Sequence, residues 1–403
     1  MLSFALRNVV RHRSRTALTL AAIMSGVAAL ILSGGFVDDS LTQLREATIH
    51  SQVGHLQIHR AGYAKEGSRA PYRYMIEEPQ RILDMVKAMP EVETAMRRLG
   101  FAGVLNNGRT DIPIVGTGIE ADPEAKLGTS TSIIAGRQLT GGDRYGILLG
   151  EGVAAASGLE PGDRAILLVS AAEGALNTLE FDVVGVFRSF SKDYDDRAVR
   201  ILLPAAQELL DIEAANSIVV LLEHTEATGR VAALLDAQLD ARRYEIRTWD
   251  QLADFYEKTS ALYRRQFAVL QFIVLVAVLL SVVNSVNMTL FERVGEFGTM
   301  MALGNSRGAI FRLAITENAL LGLIGATGGV VLGVVLAMGI SAVGIPMPPP
   351  PNSNSGYTAL VRVVPSVVGG AFAIGLLGTI AGALLPARRI VRIPVVEALQ
   401  QNR

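Results

Sequence analysis

Apolar residues gather along the chain into four blocks, at 17–36, 267–290, 313–343 and 365–385, and a long mixed stretch separates the first from the second. A helix rises about 1.5 Å per residue, so about 20 apolar residues cross the hydrocarbon core of a bilayer. The first, second and fourth blocks match that length; the third is longer and predicts a tilted or projecting helix. Basic residues precede the first block, as they would in a signal peptide. Its apolar run exceeds the about 7–15 residues of such a region and no small-x-small site follows, so it reads as an anchor. Ahead of it, within 1–16, Leu2, Ala5, Leu6, Val9 and Val10 form a helical stripe with Arg7 and Arg11 off it. That pattern suits a short interfacial helix, and a plain basic flank would look much the same.

Between the first two blocks the periodicity switches to short elements. Leu56 and Ile58 alternate with His55 and Gln57, the pattern of a half-buried strand. Residues 78–89 predict a helix, and the runs 101–106 and 111–118 flank Asn107-Gly108, a hairpin signal. Strands are predicted at 147–149, 165–170, 179–187, 199–203, 216–222 and 243–248, with helices at 150–158, 204–211 and 226–240. Two βαβ-like groups, 53–105 and 216–248, bracket a strand-rich middle, which predicts a subdomain inserted at about 125–212. Residues 249–264 read as a helix running unbroken into the second block, because no Gly or Pro intervenes. The loop 344–364 holds PMPPPPNSNSG at 346–356, a stiff run with a flexible tip that is a spacer or a cap.

Composition agrees with a membrane protein: 50% of the 403 residues are hydrophobic and 19% charged, with mean hydropathy +0.35. Charge sets the orientation. Residues 37–262 carry 34 acidic and 23 basic side chains, a net of −11, whereas the remainder carries 4 acidic and 14 basic, a net of +10. Eleven of those 14 lie on one side: Arg7, Arg11, Arg13 and Arg15; Arg293, Arg307 and Arg312; Arg388, Arg389, Arg392 and Arg403. The positive-inside rule then predicts cytoplasmic termini, a cytoplasmic 291–312 loop and 386–403 tail, and an extracytoplasmic 37–262 domain. The fold class that follows is four transmembrane α-helices with a large α+β extracytoplasmic domain. The absence of cysteine excludes disulfides and a cysteine lipid anchor.

Candidate chemistry is sparse. No phosphate-binding G-x-x-x-x-G-K-[ST], H-E-x-x-H, C-x-x-C or G-x-S-x-G run occurs. His50, His55 and His59 are close in sequence, but their spacing on a strand does not suit one metal, so they read as solvated strand histidines. The apolar blocks say more. Gly325, Gly329 and Gly333, with Gly378 and Gly382, have the spacing that lets helix backbones approach. Ser281, Asn284 and Ser285, with Asn287 nearby, form a polar stripe for interhelical or dimer packing, or for facing a substrate. Glu317 lies about one turn past Arg312, which predicts a local ion pair. The 291–307 segment reads as a short amphipathic helix: Glu292 and Glu296 share a face, Met300, Met301 and Leu303 supply apolar contact, and Gly304 ends it.

ERVGEFGTMMALGNSRGAIFRLAITEN (292–318) resembles the R-x-x-E-I-G-x-x-x-A-x-G signature of ABC transporter permeases of the MacB/LolE/FtsX type, with Phe297 in place of the usual Ile. PARRIVRIPVVEALQ (386–400) is similar to their ending, and ALRNVVRHRSRTALT (5–19) also fits. So do GRQLTGGDRYGILLGEGVAAASGLEPGDRAILL (136–168) and FDVVGVF (181–187), and the likeness runs nearly end to end. It implies a non-catalytic permease subunit whose coupling helix, with Glu292, Arg293, Gly295, Glu296, Leu303, Gly304 and Arg307, docks on a separate ATPase pair. ATP and Mg would be bound there, with no cofactor in this chain. It further implies an inner-membrane location, a second permease copy or paralogue, and a periplasmic adaptor or lipoprotein acceptor as further partner; nucleic acid is not implied. The outer domain would be a porter subdomain, about 50–122 and 213–248, holding a sabre-like insertion, moved mechanically by the first two helices. GHLQIHRAGY (54–63) looks closest to the lipoprotein-releasing LolC/LolE branch. An adaptor-linked exporter, an FtsX-like regulator of a cell-wall hydrolase and an anchored receptor or enzyme are the other readings.

Overall fold

Inside a bilayer every backbone N–H and C=O must find a partner within the protein, so long apolar runs fold as helices. The computed structural model describes residues 13–67, 71–76, 78–171, 174–349 and 356–395. Residues 1–12, 350–355 and 396–403 therefore leave most of the N-terminal interfacial helix, the Pro-Asn-Ser tip and the end of the tail outside the described residues. In chain order the elements are α1 (Arg13–Thr48), β1 (Leu56–Arg60), α2 (Pro79–Lys87), β2 (Val92–Asn106), β3 (Asp111–Ile119) and α3 (Ala121–Leu127). Then come β4 (Ser132–Gly136), β5 (Gly146–Gly150), α4 (Glu151–Ser157), β6 (Arg164–Ser170), β7 (Leu176–Arg188), β8 (Ala198–Leu202) and α5 (Leu203–Leu210). The chain continues through β9 (Ser217–Leu222), α6 (Thr228–Gln238), β10 (Tyr244–Thr248), α7 (Asp254–Glu292), α8 (Val294–Ala302), α9 (Arg307–Val343) and α10 (Pro365–Val391). Two compact units result: a helical one from Met1–Thr42, Thr259–Met347 and Thr358–Arg403, and an α/β one from Gln43–Lys258 and Pro348–Tyr357.

Among the described residues, four helices, α1, α7, α9 and α10, are long and apolar enough to cross a membrane. In the helical unit they pack through small residues. A side chain added at Gly329 of α9 would meet the Met24 carbonyl oxygen of α1 at 2.9 Å, and one at Gly325 would meet Ile23. Gly333 abuts Ala28 and Ile31 of α1; on α10, Gly378 faces Leu275 and Gly382 faces Val282, both of α7. Ile23, Val27, Val278, Val282, Ala326 and Ala383 fill the interior, while Phe272, Leu280, Val335 and Leu377 stay exposed. After α9 the chain is stitched back to α1. The Leu360 N–H donates to the Asp39 carboxylate (2.8 Å), and the Ser341 hydroxyl bonds both the N–H and the carbonyl of Val361.

In the α/β unit, β10, β1, β9 and the first half of β2 form a four-stranded antiparallel sheet. Ile82, Leu83 and Val86 of α2 and Val231 and Leu235 of α6 pack with Leu56, Ile58 and Val220 on one face. The other face is covered too, by Ile49 and Leu127 against Met96, Val219 and Leu221. That second cover overturns the solvated-histidine reading: His55 and His59 are 2% and 4% exposed. His55 Nδ1 accepts from the Leu222 N–H (3.0 Å) and its Nε2 lies 3.0 Å from the Thr225 hydroxyl, which donates on to Glu46. Burial lowers the His55 pKa to about 4 and lowers that of His59 as well.

The second half of β2 leaves this sheet and enters a ring. It pairs with β3 and β6; β3 pairs with β8, β8 with β5, β5 with β7, and β7 closes on β6. Leu99, Phe101, Leu149, Leu167, Phe181 and Ile201 fill it. The strands of 125–212 thus share a sheet with β2 and β3 and do not close a sheet of their own. β4, which has no counterpart among the predicted strands, adds to β7 across a register shift. The 249–264 helix is interrupted. Trp249–Leu252 is a separate turn, and Ala253 (φ −107°, ψ 66°) leaves the helical region before α7 begins. The turn is set by tertiary contacts: the Trp249 N–H bonds the His55 carbonyl (3.0 Å) and its indole packs edge-on against Tyr256.

Candidate functional site

Helix α8 is nine residues long, too short to persist alone, so its position depends on what holds it. Arg293, at its N-cap and 5% exposed, is the holding residue. Its Nη1 donates to Glu317 on α9 at 2.8 Å, and its Nε to Glu296 on α8 at 3.0 Å. The guanidinium carbon lies 5.0 Å from the centre of the Phe297 ring. A delocalised guanidinium suits this place because it bonds two carboxylates in its plane and stacks on an aromatic face. Glu317 is therefore paired with Arg293, not with Arg312, whose Nε donates to the Gly308 carbonyl. The predicted neighbour was one turn away along the helix, but only the chain reversal after α7 brings in the partner that is buried.

Val294 and Phe297 are the apolar residues buried under α8, with Met300 and Met301 packed beside them. Leu303 lies 80% exposed. Glu292 closes α7 and does not belong to α8, since Arg293 (φ −101°, ψ 10°) breaks the helix between it and Glu296. Gly304 has φ +97°, and the Gly304 and Asn305 N–H groups bond back to Met301 and Met300, the left-handed stop that glycine favours. Ser306 then caps α9 by accepting from the Ala309 N–H. Gly295 is buried, while Glu292, Glu296, Thr299, Leu303, Gly304 and Arg307 line the exposed side of the segment. What results is a small acidic-apolar-basic edge fixed to a buried ionic clasp.

The stripe on α7 divides. The Ser285 and Thr19 hydroxyls bond each other at 2.5 Å, joining α7 to α1, and the Thr289 hydroxyl donates to the Ser285 carbonyl. Ser281 is half-buried and Asn284 exposed on the surface of the chain. Among the described residues, no group of three or more His, Cys, Asp or Glu side chains is placed to hold a metal. Sequence reasoning missed the role of Glu317 as the clasp. The signal was there: only four acidic residues lie outside 37–262, and one inside an apolar helix needs a cation.

Residues 16–238, more than half of the chain, match the family of MacB-like periplasmic core domains, and 268–395 match the FtsX-like permease C-terminal family. The chain is 22% identical over 348 residues to the lipoprotein-releasing system transmembrane protein LolC of Neisseria meningitidis, covering 81% of this chain and 78% of that one. It is 23% identical to an uncharacterized ABC transporter permease of Methanocaldococcus jannaschii, over 99% of this chain and 97% of the other. It is 25% identical to the macrolide export ATP-binding/permease protein MacB of Nitrobacter winogradskyi, over 96% of this chain but 58% of that longer one.

Proposed function

Since the chain belongs to the MacB/LolC/FtsX-type family of ABC transporter permeases, a multi-pass membrane protein with a MacB-like domain, we propose that α8 is the surface on which a separate ATPase pair acts. The observation that carries this is the Arg293 clasp. By fixing α8 to α9 through Glu317 it turns a nine-residue helix into a rigid foot, and a push on Glu292, Glu296 or Leu303 is passed to the membrane helices. The subunit itself is non-catalytic; ATP and Mg bind in the partner. The chain lies in the inner membrane with both termini cytoplasmic and its large domain periplasmic, paired with a second copy or a paralogue. Helices α1 and α7, of 36 and 39 residues, are about 54 and 58 Å long, far more than a bilayer requires, and suit the transmission of motion.

The substrate is a lipoprotein or another amphiphile handled on the outer side of the membrane, supported by the likeness to LolC. Adaptor-linked export is the second reading, supported by the likeness to a macrolide exporter; an FtsX-like regulator of a cell-wall hydrolase is the third. Purification in mild detergent is expected to bring an ABC ATPase with the chain, and Glu296→Lys or Leu303→Asp to abolish that association. An ATPase that is absent, or bound equally by both variants, overturns the coupling role. Depletion of the protein separates the substrates: lipoproteins stranded in the inner membrane support release, and normal lipoprotein sorting removes it.

A further inference from the structure

Where β2 passes from the four-stranded sheet into the ring, a cleft of about 670 Å³ opens within the α/β unit. It is lined from β1, β2, β3, β9 and β10 and from the turns at Tyr63–Glu66, Lys192–Asp195 and Trp249–Leu252. That volume is the size of a small-molecule site. Among the described residues, no Asp or Glu contributes to the lining. Its floor is fixed: His59 bonds the Asn216 carbonyl and Gln57, the Asn216 side chain bonds both backbone groups of Gly100, and the His59 and Tyr63 rings stack at 4.5 Å. Arg98 is held from behind by Glu124 at 2.7 and 3.0 Å.

Against this satisfied floor stands a set of donors that the protein does not use. Lys65, Thr117, Ser217, Gln251 and the Tyr63 hydroxyl line the cleft, and among the described residues their side chains have no hydrogen-bond or ion-pair partner. Ser217 is 7% exposed, and its hydroxyl remains open to water in the cleft. Arg247 reaches a carboxylate only at 4.0 Å, that of Glu245, whose oxygens already accept from the Gly62 and Ala64 N–H groups. Two cations and several hydroxyl and amide donors, with no lining carboxylate among the described residues, match an acceptor-rich dianion better than a monocarboxylate. A phosphate monoester carries about −1.5 to −2 charges and three terminal acceptor oxygens.

We propose that this cleft binds a phosphate monoester, free or as the headgroup of phosphatidic acid, with Lys65 and Arg247 neutralising the charge and the Ser217, Thr117 and Tyr63 hydroxyls donating to its oxygens. The full chain in phosphatidylcholine nanodiscs is titrated calorimetrically with glycerol 1-phosphate. Saturable binding is expected, weakened at least about tenfold by Lys65→Gln or by Arg247→Gln, since each removes one charge-assisted contact. Ser217→Ala weakens it less. Lys65 is exposed on a turn, so its variant tests the site without disturbing the fold. Repeating the titration with phosphatidic acid in the discs separates the two sources. Loss of the soluble signal identifies a headgroup, and an unchanged affinity identifies a soluble ester. No saturable binding in phosphatidylcholine discs, equal binding of acetate, or binding indifferent to both charge variants overturns the assignment.

Discussion

Arg293 has two carboxylate partners of unequal weight. Glu317 is 10% exposed at its side chain and Glu296 is 45% exposed. Removing one partner of a buried pair strands the other charge, so Glu317→Ala is expected to cost about 3 kcal/mol, seen as a lower unfolding midpoint in detergent. Glu296→Ala removes a solvent-screened contact and is expected to cost under about 1 kcal/mol while still weakening the ATPase association. His55 makes a second single-residue prediction. Its pKa is about 4 in the folded chain and the ordinary value is 6.5, so the unfolded chain binds the extra proton between those values. The contribution of His55 is therefore constant above pH 6.5 and falls as the pH drops toward 4, by at most about 3 kcal/mol. In His55→Gln that part of the acid slope disappears; an identical slope in both proteins would show that other groups set it.

Glycines make the helices' packing testable at the level of elements. Gly329 and Gly339 lie on the same helix, but a side chain at Gly329 would meet the backbone of α1, whereas nothing lies within 4 Å of one at Gly339. Gly329→Leu is expected to lower the thermal midpoint by several degrees through forced separation of α1 and α9, and Gly339→Leu to leave it unchanged within the chain. Most elements were legible before the fold was known. The four apolar blocks lie within long helices, and the strands from β5 to β10 begin and end within a few residues of the alternation that announces them. The misses share a cause. β4, the break at Ala253 and the burial of His55 are all settled by partners distant in sequence: a register-shifted strand, the Trp249 contacts and a second layer over the sheet. At the candidate site the left-handed stop at Gly304 was legible because it is local. The Arg293–Glu317 clasp, spanning 24 residues and a chain reversal, was not.

For the whole molecule, charge asymmetry predicts the orientation, and the lack of cysteine makes that prediction easy to measure. Single cysteines in place of Glu226, 79% exposed, and Arg307 are expected to label oppositely with a membrane-impermeant thiol reagent. Glu226→Cys reacts with the cytoplasmic membrane intact, and Arg307→Cys reacts only after lysis; the reverse pattern would invert the topology. Strand β2 bears on the molecule in another way. Its residues Val92–Arg98 belong to one sheet and Leu99–Asn106 to the next, without an intervening loop. A boundary drawn there cuts a backbone ladder on both sides and leaves two raw strand edges, the surfaces on which chains aggregate. The sheet and the ring therefore cannot be inherited, excised or melted separately. Calorimetry of the membrane-inserted protein should show them losing structure in one transition, and proteolysis within the β6–β7 hairpin should loosen both.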